Sequence, residues 1–222
     1  ALSIQSLKLW IKPQVSGQLG AFPEHWQQWP WFCEQIEGWH ARSSDRSPPR
    51  VLHLFAYTGA TTLALAMMQA EVTHVDAMRS AVEWARENAR WSQLESLPIR
   101  WIIDDARDYV QREIKRERRY ELIVLDPPSY GHGSRGQAWS IGRDLEPLIA
   151  DCHSLLSGDA IGIVLSGHSP DVDLNHLGGG MPGLCSPQIV RATLRDRSGR
   201  ALDCGYVARF LTLPSTKRLA GA

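Results

Sequence analysis

The sequence is poor in cysteine and lysine, has no net charge and contains no long apolar run. Its four cysteines, Cys33, Cys152, Cys185 and Cys204, form no C-x-x-C pair and no Cys/His group at zinc-ligand spacing. That excludes a zinc module and a disulfide-stapled domain, and it predicts reduced thiols in a cytoplasmic protein without a metal. No apolar run approaches the roughly 18 residues of a membrane span, so no membrane partner is expected. The opening Ala1-Leu2-Ser3-Ile4 lacks a basic stretch followed by an apolar core, so no leader peptide is expected either. The chain begins at Ala1 rather than Met, and a natural start upstream of it is expected. Lys+Arg and Asp+Glu number 24 each. This balance excludes a basic nucleic-acid coat protein and an acidic disordered chain, though not a local basic face. Of the 24 basic residues, 20 are Arg and 4 are Lys. Arg forks grip phosphate, and the same bias also follows from genome base composition.

What remains is an ordinary globular composition of 222 residues, 43% hydrophobic and 22% charged, enough for one domain with a small attachment. Residues 1–40 carry five of the nine tryptophans, Trp10, Trp26, Trp29, Trp31 and Trp39. Residues 7–11 alternate like a strand, and residues 22–39 suit a helix opening at Pro23. We therefore expect an N-terminal strand/helix extension at 1–40, a Ser/Pro linker at 41–50 and a core at 51–222. In the core, apolar strands at 51–55, 72–75, 99–103, 121–125 and 160–165 alternate with helices at 61–70, 79–91, 106–116 and 145–156. This pattern predicts an α/β fold with a doubly wound, mostly parallel sheet. Residues 188–195 and 206–213 are candidates for two antiparallel closing strands. Ligands of such sheets bind outside the carboxyl ends of the strands.

The first strand ends in Phe55-Ala56-Tyr57-Thr58-Gly59. This is neither a G-x-G-x-x-G fingerprint nor a P-loop, which disfavours a nicotinamide dehydrogenase. Gly59 marks the turn into the helix, where a backbone can approach a ligand without a Cβ in the way. The second strand ends in Asp76, about 20 residues on, where a carboxylate can accept ribose hydroxyls or cap the next helix. The third ends in Asp104-Asp105-Ala106, where one acid is expected to cap and the other to face the cleft. The fourth ends in Asp126-Pro127-Pro128-Ser129-Tyr130, a rigid turn short of N–H donors that can aim carbonyls and a carboxylate at a ligand.

Taken together, these motifs resemble the class I S-adenosylmethionine-dependent methyltransferases. Within them, Phe55–Gly59 and Asp126-Pro127-Pro128-Ser129 resemble the bacterial 23S ribosomal RNA methyltransferases of the RlmI and RlmK type. Gly20-Ala21-Phe22-Pro23-Glu24-His25-Trp26 is similar to the segment ahead of the core in relatives of that group. The resemblance implies S-adenosylmethionine as cofactor. Phe55, Ala56, Tyr57, Thr58 and Gly59 would line its methionine and ribose, Asp76 would hold the ribose, and Asp105 with Ala106 would meet the adenine. Asp126 and Pro127 would face the transferred methyl and its acceptor, ribosomal RNA.

Two departures refine this expectation. The 5-methylcytosine members of the family use a cysteine near the end of the fifth strand, and here that stretch reads Leu165-Ser166-Gly167-His168-Ser169. Covalent attack on a pyrimidine carbon lacks its nucleophile, so transfer to a nitrogen is expected instead. His132 and His168 are candidate bases, with ordinary surface histidines as the alternative. The larger family members carry an RNA-binding domain ahead of the core, for which this chain has no room. Basic residues cluster at 107–119 and 191–218, either along a phosphate backbone or as solvated faces, and 121–190 is net acidic. Other function classes are a methyltransferase for a small molecule or protein, and a non-catalytic cofactor-binding protein.

Overall fold

The computed structural model describes residues 7–13, 19–42, 47–133, 136–170, 172–179 and 181–213. A short 3-10 turn (Pro23–Gln28) runs directly into α1 (Trp29–Arg42). The core follows as β1 (Arg50–Leu54), α2 (Ala60–Met67), β2 (Glu71–Asp76), α3 (Arg79–Trp91), β3 (Ile99–Ile103), α4 (Ala106–Lys115) and β4 (Leu122–Leu125). A small hairpin, β5 (Tyr130–His132) and β6 (Ala138–Ser140), precedes α5 (Ile141–Ser154) and β7 (Gly162–Gly167). The described chain closes with α6 (Leu174–Gly179), β8 (Gln188–Arg195) and β9 (Ala201–Leu211).

Seven of these strands form one sheet in the order β3-β2-β1-β4-β7-β9-β8. β1, β2, β3, β4 and β7 are parallel, whereas β9 runs antiparallel to both β7 and β8. The sheet is α/β and doubly wound, as the alternation of elements requires. Strand residues divide by parity, because successive side chains point to opposite faces. Leu52, Leu54, Ile123, Leu125, Ile163 and Leu165 enter one core with α4 and α5. Val51, Leu122, Val124 and Val164 enter the other, against Trp29, Phe32, Ile36 and Trp39 of α1 and Ala64 and Leu65 of α2. The tryptophans of α1 are thus packing residues, as their helical spacing suggests.

Residues 7–13 form no strand. They lie along α3 and bond to its side chains. Trp10 N–H donates to Asn88 Oδ1 (2.8 Å), Lys8 N–H donates to Ser92 Oγ (2.9 Å), and Trp84 Nε1 donates to Trp10 O (2.9 Å). The alternation that suggested a strand has no neighbouring edge to pair with, and one face is satisfied by a helix instead. Of the expected linker, residues 43–46 lie outside the described part, and 47–49 lead irregularly into β1.

Candidate active site

The strand order reverses between β1 and β4, and the crevice at such a switch point is where doubly wound sheets bind ligands. A cleft of about 350 Å³ opens there, at the carboxyl ends of β1, β2, β3, β4 and β7. Of the site residues expected from sequence, Phe55, Tyr57, Asp76, Asp105, Ala106, Asp126 and Pro127 border it.

The loop after β1 is built from left-handed residues, with Phe55 at φ 54°, Tyr57 at φ 48° and Gly59 at φ 82°. Non-glycine residues in that region cost about 1–3 kcal/mol each and persist only where their surroundings over-determine them. Here the surroundings do so. Ala56 N–H donates to Val75 O (3.1 Å) and Gly59 N–H to Ala56 O (3.1 Å). Thr58 Oγ1 donates to Gly20 O (2.6 Å), and Asn88 Nδ2 donates to Thr58 O (2.9 Å). Ala56, Thr58 and Gly59 form the frame behind the cleft rather than its wall. A Cβ on Gly59 would stand 2.8 Å from Ala85 Cβ, so its glycine permits contact with α3. Gly20, at φ 91°, is equally constrained: a Cβ there would fall 2.2 Å from the Trp84 ring.

Asp76 ends β2 with its carboxylate turned toward this loop. Oδ2 accepts from Tyr57 N–H (2.8 Å) and Oδ1 from Met78 N–H (2.9 Å). Burial raises its pKa, and the two N–H donors oppose that rise. Burial and the Asp76 charge together push the Tyr57 phenol up. Met78, not Asp76, is the N-cap of α3. Each Asp76 oxygen therefore keeps acceptor capacity for a ligand hydroxyl.

Both acids after β3 border the cleft and both are engaged. Asp105 caps α4 by accepting from Arg107 N–H (2.9 Å) and holds the Arg107 guanidinium in a fork, with Nη2 to Oδ2 at 2.9 Å. Burial opposes ionisation, but the Arg107 hydrogen bonds and charge outweigh it and hold the Asp105 carboxyl below its ordinary value. Asp104 pairs with Arg112.

The turn after β4 places Asp126 on the same cleft. Its Oδ1 accepts from Ser166 Oγ at the end of β7 (2.7 Å), and its Oδ2 lies 3.5 Å from His25 Nε2. Pro128 O accepts from Trp139 Nε1 (2.6 Å), and the Trp139 ring lies 4.9 Å from that of Phe55. The β5–β6 hairpin is thereby tied to both loops and closes one end of the cleft. His132 and His168 reach the rim with exposed side chains.

Sequence reading missed four contributors. His25 and Phe22 arrive from the segment ahead of the core, with the Phe22 ring tilted against that of Tyr57 at 5.5 Å. Ser166 was visible only as the residue standing where a nucleophilic cysteine was sought. Cys204 borders the cleft from β9; its neighbour Gly205 (φ 95°) marks a close approach of backbones that strand periodicity does not report. Five carboxylates, of Glu24, Asp76, Asp104, Asp105 and Asp126, border the cleft, and no Lys or Arg does among the described residues. The chemistry fits a ligand that is cationic and carries hydroxyls.

Residues 39–138 match the family described as Conserved hypothetical protein 95. The SAM-dependent methyltransferase of Agrobacterium tumefaciens has the same fold, with a TM-score of 0.84 and 32% identity over 95% of this chain and 69% of that one. The ribosomal RNA large subunit methyltransferase K/L of Pseudoalteromonas atlantica is 31% identical over 65% of this chain. The ribosomal RNA large subunit methyltransferase K of Neisseria meningitidis is 32% identical over 50% of it. The chain spans 20% and 32% of the lengths of those two relatives.

Proposed function

Because the chain belongs to the S-adenosylmethionine-dependent methyltransferases, we propose that it transfers a methyl group to a nitrogen of ribosomal RNA. S-adenosylmethionine is its cofactor, and when bound it supplies a methyl group on a sulfonium, an electrophile with an excellent leaving group. The cleft suits it in size and in charge, since carboxylates surround the opening. Asp76 would accept the ribose hydroxyls, and Phe55 and Tyr57 would wall the methionine and ribose. Ala106 and the capped start of α4 would meet the adenine. Asp105 would act there mainly by fixing that backbone, because its carboxylate is already committed to Arg107.

Asp126 carries the functional reading. Among the described residues it is the cleft carboxylate that accepts from a hydroxyl of another parallel strand and lies 3.5 Å from an imidazole nitrogen, on a turn made rigid by Pro127 and Pro128. A carboxylate so held can accept a hydrogen bond from an amino or ring N–H and orient its nitrogen for in-line attack. The strand end beside it bears Ser166 rather than a thiol, which supports nitrogen over pyrimidine carbon as the acceptor. Cys204 approaches from β9, with its sulfur 3.5 Å from Leu202 O and no base beside it among the described contacts.

The test is transfer of radiolabelled methyl from S-adenosylmethionine into a lysate of source cells lacking the gene, with RNA, protein and small molecules counted separately. Label in RNA that digests to an N-methyl nucleoside is expected. Label confined to another fraction overturns the RNA reading, and 5-methylcytosine in the digest overturns the nitrogen reading.

A further inference from the structure

We propose that His25 is a positioning residue for Asp126: it orients that carboxylate and takes on the proton that leaves the acceptor nitrogen. The inference rests on the methyl-transfer reading above. Three observations carry it. The 3-10 turn brings His25 Nε2 to 3.5 Å from Asp126 Oδ2, while Ser166 occupies Oδ1 at 2.7 Å. Each carboxylate oxygen thus has a neighbour, a hydroxyl that donates to Oδ1 and does not take up a proton readily, and an imidazole 3.5 Å from Oδ2 that can. The position of His25 is itself built. Gly20, the one residue type that fits against Trp84, lets the chain turn in, and Thr58 Oγ1 donates to its carbonyl at 2.6 Å. Phe22 then packs on both the His25 ring (5.7 Å) and the Tyr57 ring (5.5 Å). Among the described residues, His25 is the imidazole that comes within 4.0 Å of the Asp126 carboxylate; His132 and His168 stay exposed at the rim.

The proton balance gives this arrangement its role. When a neutral N–H nucleophile gains a methyl group, its lone pair forms the N–C bond, and the pair of the broken C–S bond stays on sulfur. One proton must then leave the nitrogen. It passes to Asp126 and on to Nε2 of His25, the ring nitrogen that faces Oδ2, in the tautomer whose own proton sits on Nδ1; the imidazolium so formed then gives a proton to solvent. Asp126 is left ionised for the next turnover.

Two readouts test the pairing. In the methyl-transfer assay, His25→Ala should lower kcat by about a hundredfold, the low end for a displaced proton-transfer group. KM for RNA and the affinity for S-adenosylhomocysteine should stay unchanged, and His25→Gln, which restores a donor but no proton acceptor, should recover only part of the loss. On an Asp126→Asn background, His25→Ala should cause no further loss, because the two residues act as a unit. An unchanged kcat in His25→Ala, or an equal loss on both backgrounds, overturns the proposal. The second readout needs no substrate. Melting temperatures of wild type, His25→Ala, Asp126→Asn and the double variant should be non-additive. Additive values overturn the pairing even if wild-type protein labels no RNA, an outcome that would by itself sink only the RNA reading.

Discussion

Asp76 has two tasks that a single substitution can separate. It braces the left-handed loop through the Tyr57 and Met78 N–H groups, and its remaining lone pairs face the cleft. Asp76→Ala should weaken S-adenosylhomocysteine binding by about 1.5–3 kcal/mol, the range for a hydrogen bond to a charged group, and should lower the melting temperature as well. Calorimetry and melting read the two effects apart. A lower melting temperature with unchanged affinity would leave Asp76 only the bracing task. A second residue-scale case lies behind the sheet. Thr62 Oγ1 sits between His53 Nδ1 (2.8 Å) and His74 Nδ1 (2.9 Å), all buried. One hydroxyl donates once, so one ring accepts from Thr62 and the other donates to it. His74 Nε2 has no partner among the described residues, and a bare lone pair there is cheaper than an orphaned N–H. His74 therefore carries its proton on Nδ1, and Thr62 donates to His53. Burial pushes His53 down to about 3 and His74 well below its usual range. The unfolded chain then binds more protons than the folded one between pH of about 3 and about 6.5, so stability climbs with pH through that window and levels off above it. Thr62→Val should destabilise by about 1–3 kcal/mol. Denaturant unfolding across pH checks both, and a flat profile from pH 4 to 7 would contradict the neutral pair.

At the scale of elements, periodicity was informative for most elements long enough to show two faces, but β9 spans Ala201–Leu211 where the sequence reading placed a strand at 206–213. β2, β3 and α3 fall within a residue or so of the positions read from sequence, and so does β8. The cleft acids at 76, 105 and 126 were legible for the same reason: each stands at the end of an apolar strand or within two residues after it. The β5–β6 hairpin was not legible, because its strands have three residues each and no periodicity develops over so short a run. His25 was not legible as a site residue because its approach to Asp126 depends on how residues 19–28 dock, which the local sequence does not encode. A joint between elements illustrates the same limit. Glu113, near the end of α4, is 1% exposed and accepts from Tyr120 Oη (2.6 Å) just ahead of β4. Burial and that carboxylate push the Tyr120 phenol up. Tyr120→Phe leaves the Glu113 carboxylate one donor short in a buried place and should destabilise by about 1–3 kcal/mol. A melting shift no larger than that of an exposed substitution would show that Arg116, 3.0 Å away, satisfies Glu113 alone.

At the scale of the molecule, α1 packs its apolar face into a core shared with α2 and the sheet. Phe32 is 2% exposed between α2 and the sheet, and Phe32→Ala should destabilise by about 3–5 kcal/mol; a loss under 1 kcal/mol by denaturant titration would mean α1 is an attachment. If ribosomal RNA is the acceptor, as proposed above, the charge layout constrains how it can approach. Asp104 and Asp105 are paired with Arg112 and Arg107, but Glu24, Asp76 and Asp126 leave the cleft border acidic, with no Lys or Arg on it among the described residues; an RNA base would then enter while its phosphates stay outside. The β8–β9 hairpin offers the nearest basic flank. It borders the cleft through Ala192 and Cys204, and it carries exposed Arg195, Arg197 and Arg200 toward its turn. Their ties are weak, a carbonyl contact for Arg195 (3.0 Å) and a 3.6 Å pair with Asp196 for Arg200. Replacing all three with Gln should raise KM for RNA and reduce the salt dependence of log KM by about 2–3, one per lost phosphate contact. Affinity for S-adenosylhomocysteine and kcat should hold, because none of the three borders the cleft. An unchanged salt slope would move the backbone path to the other basic cluster, at 107–119, on the far side of the sheet order from the hairpin.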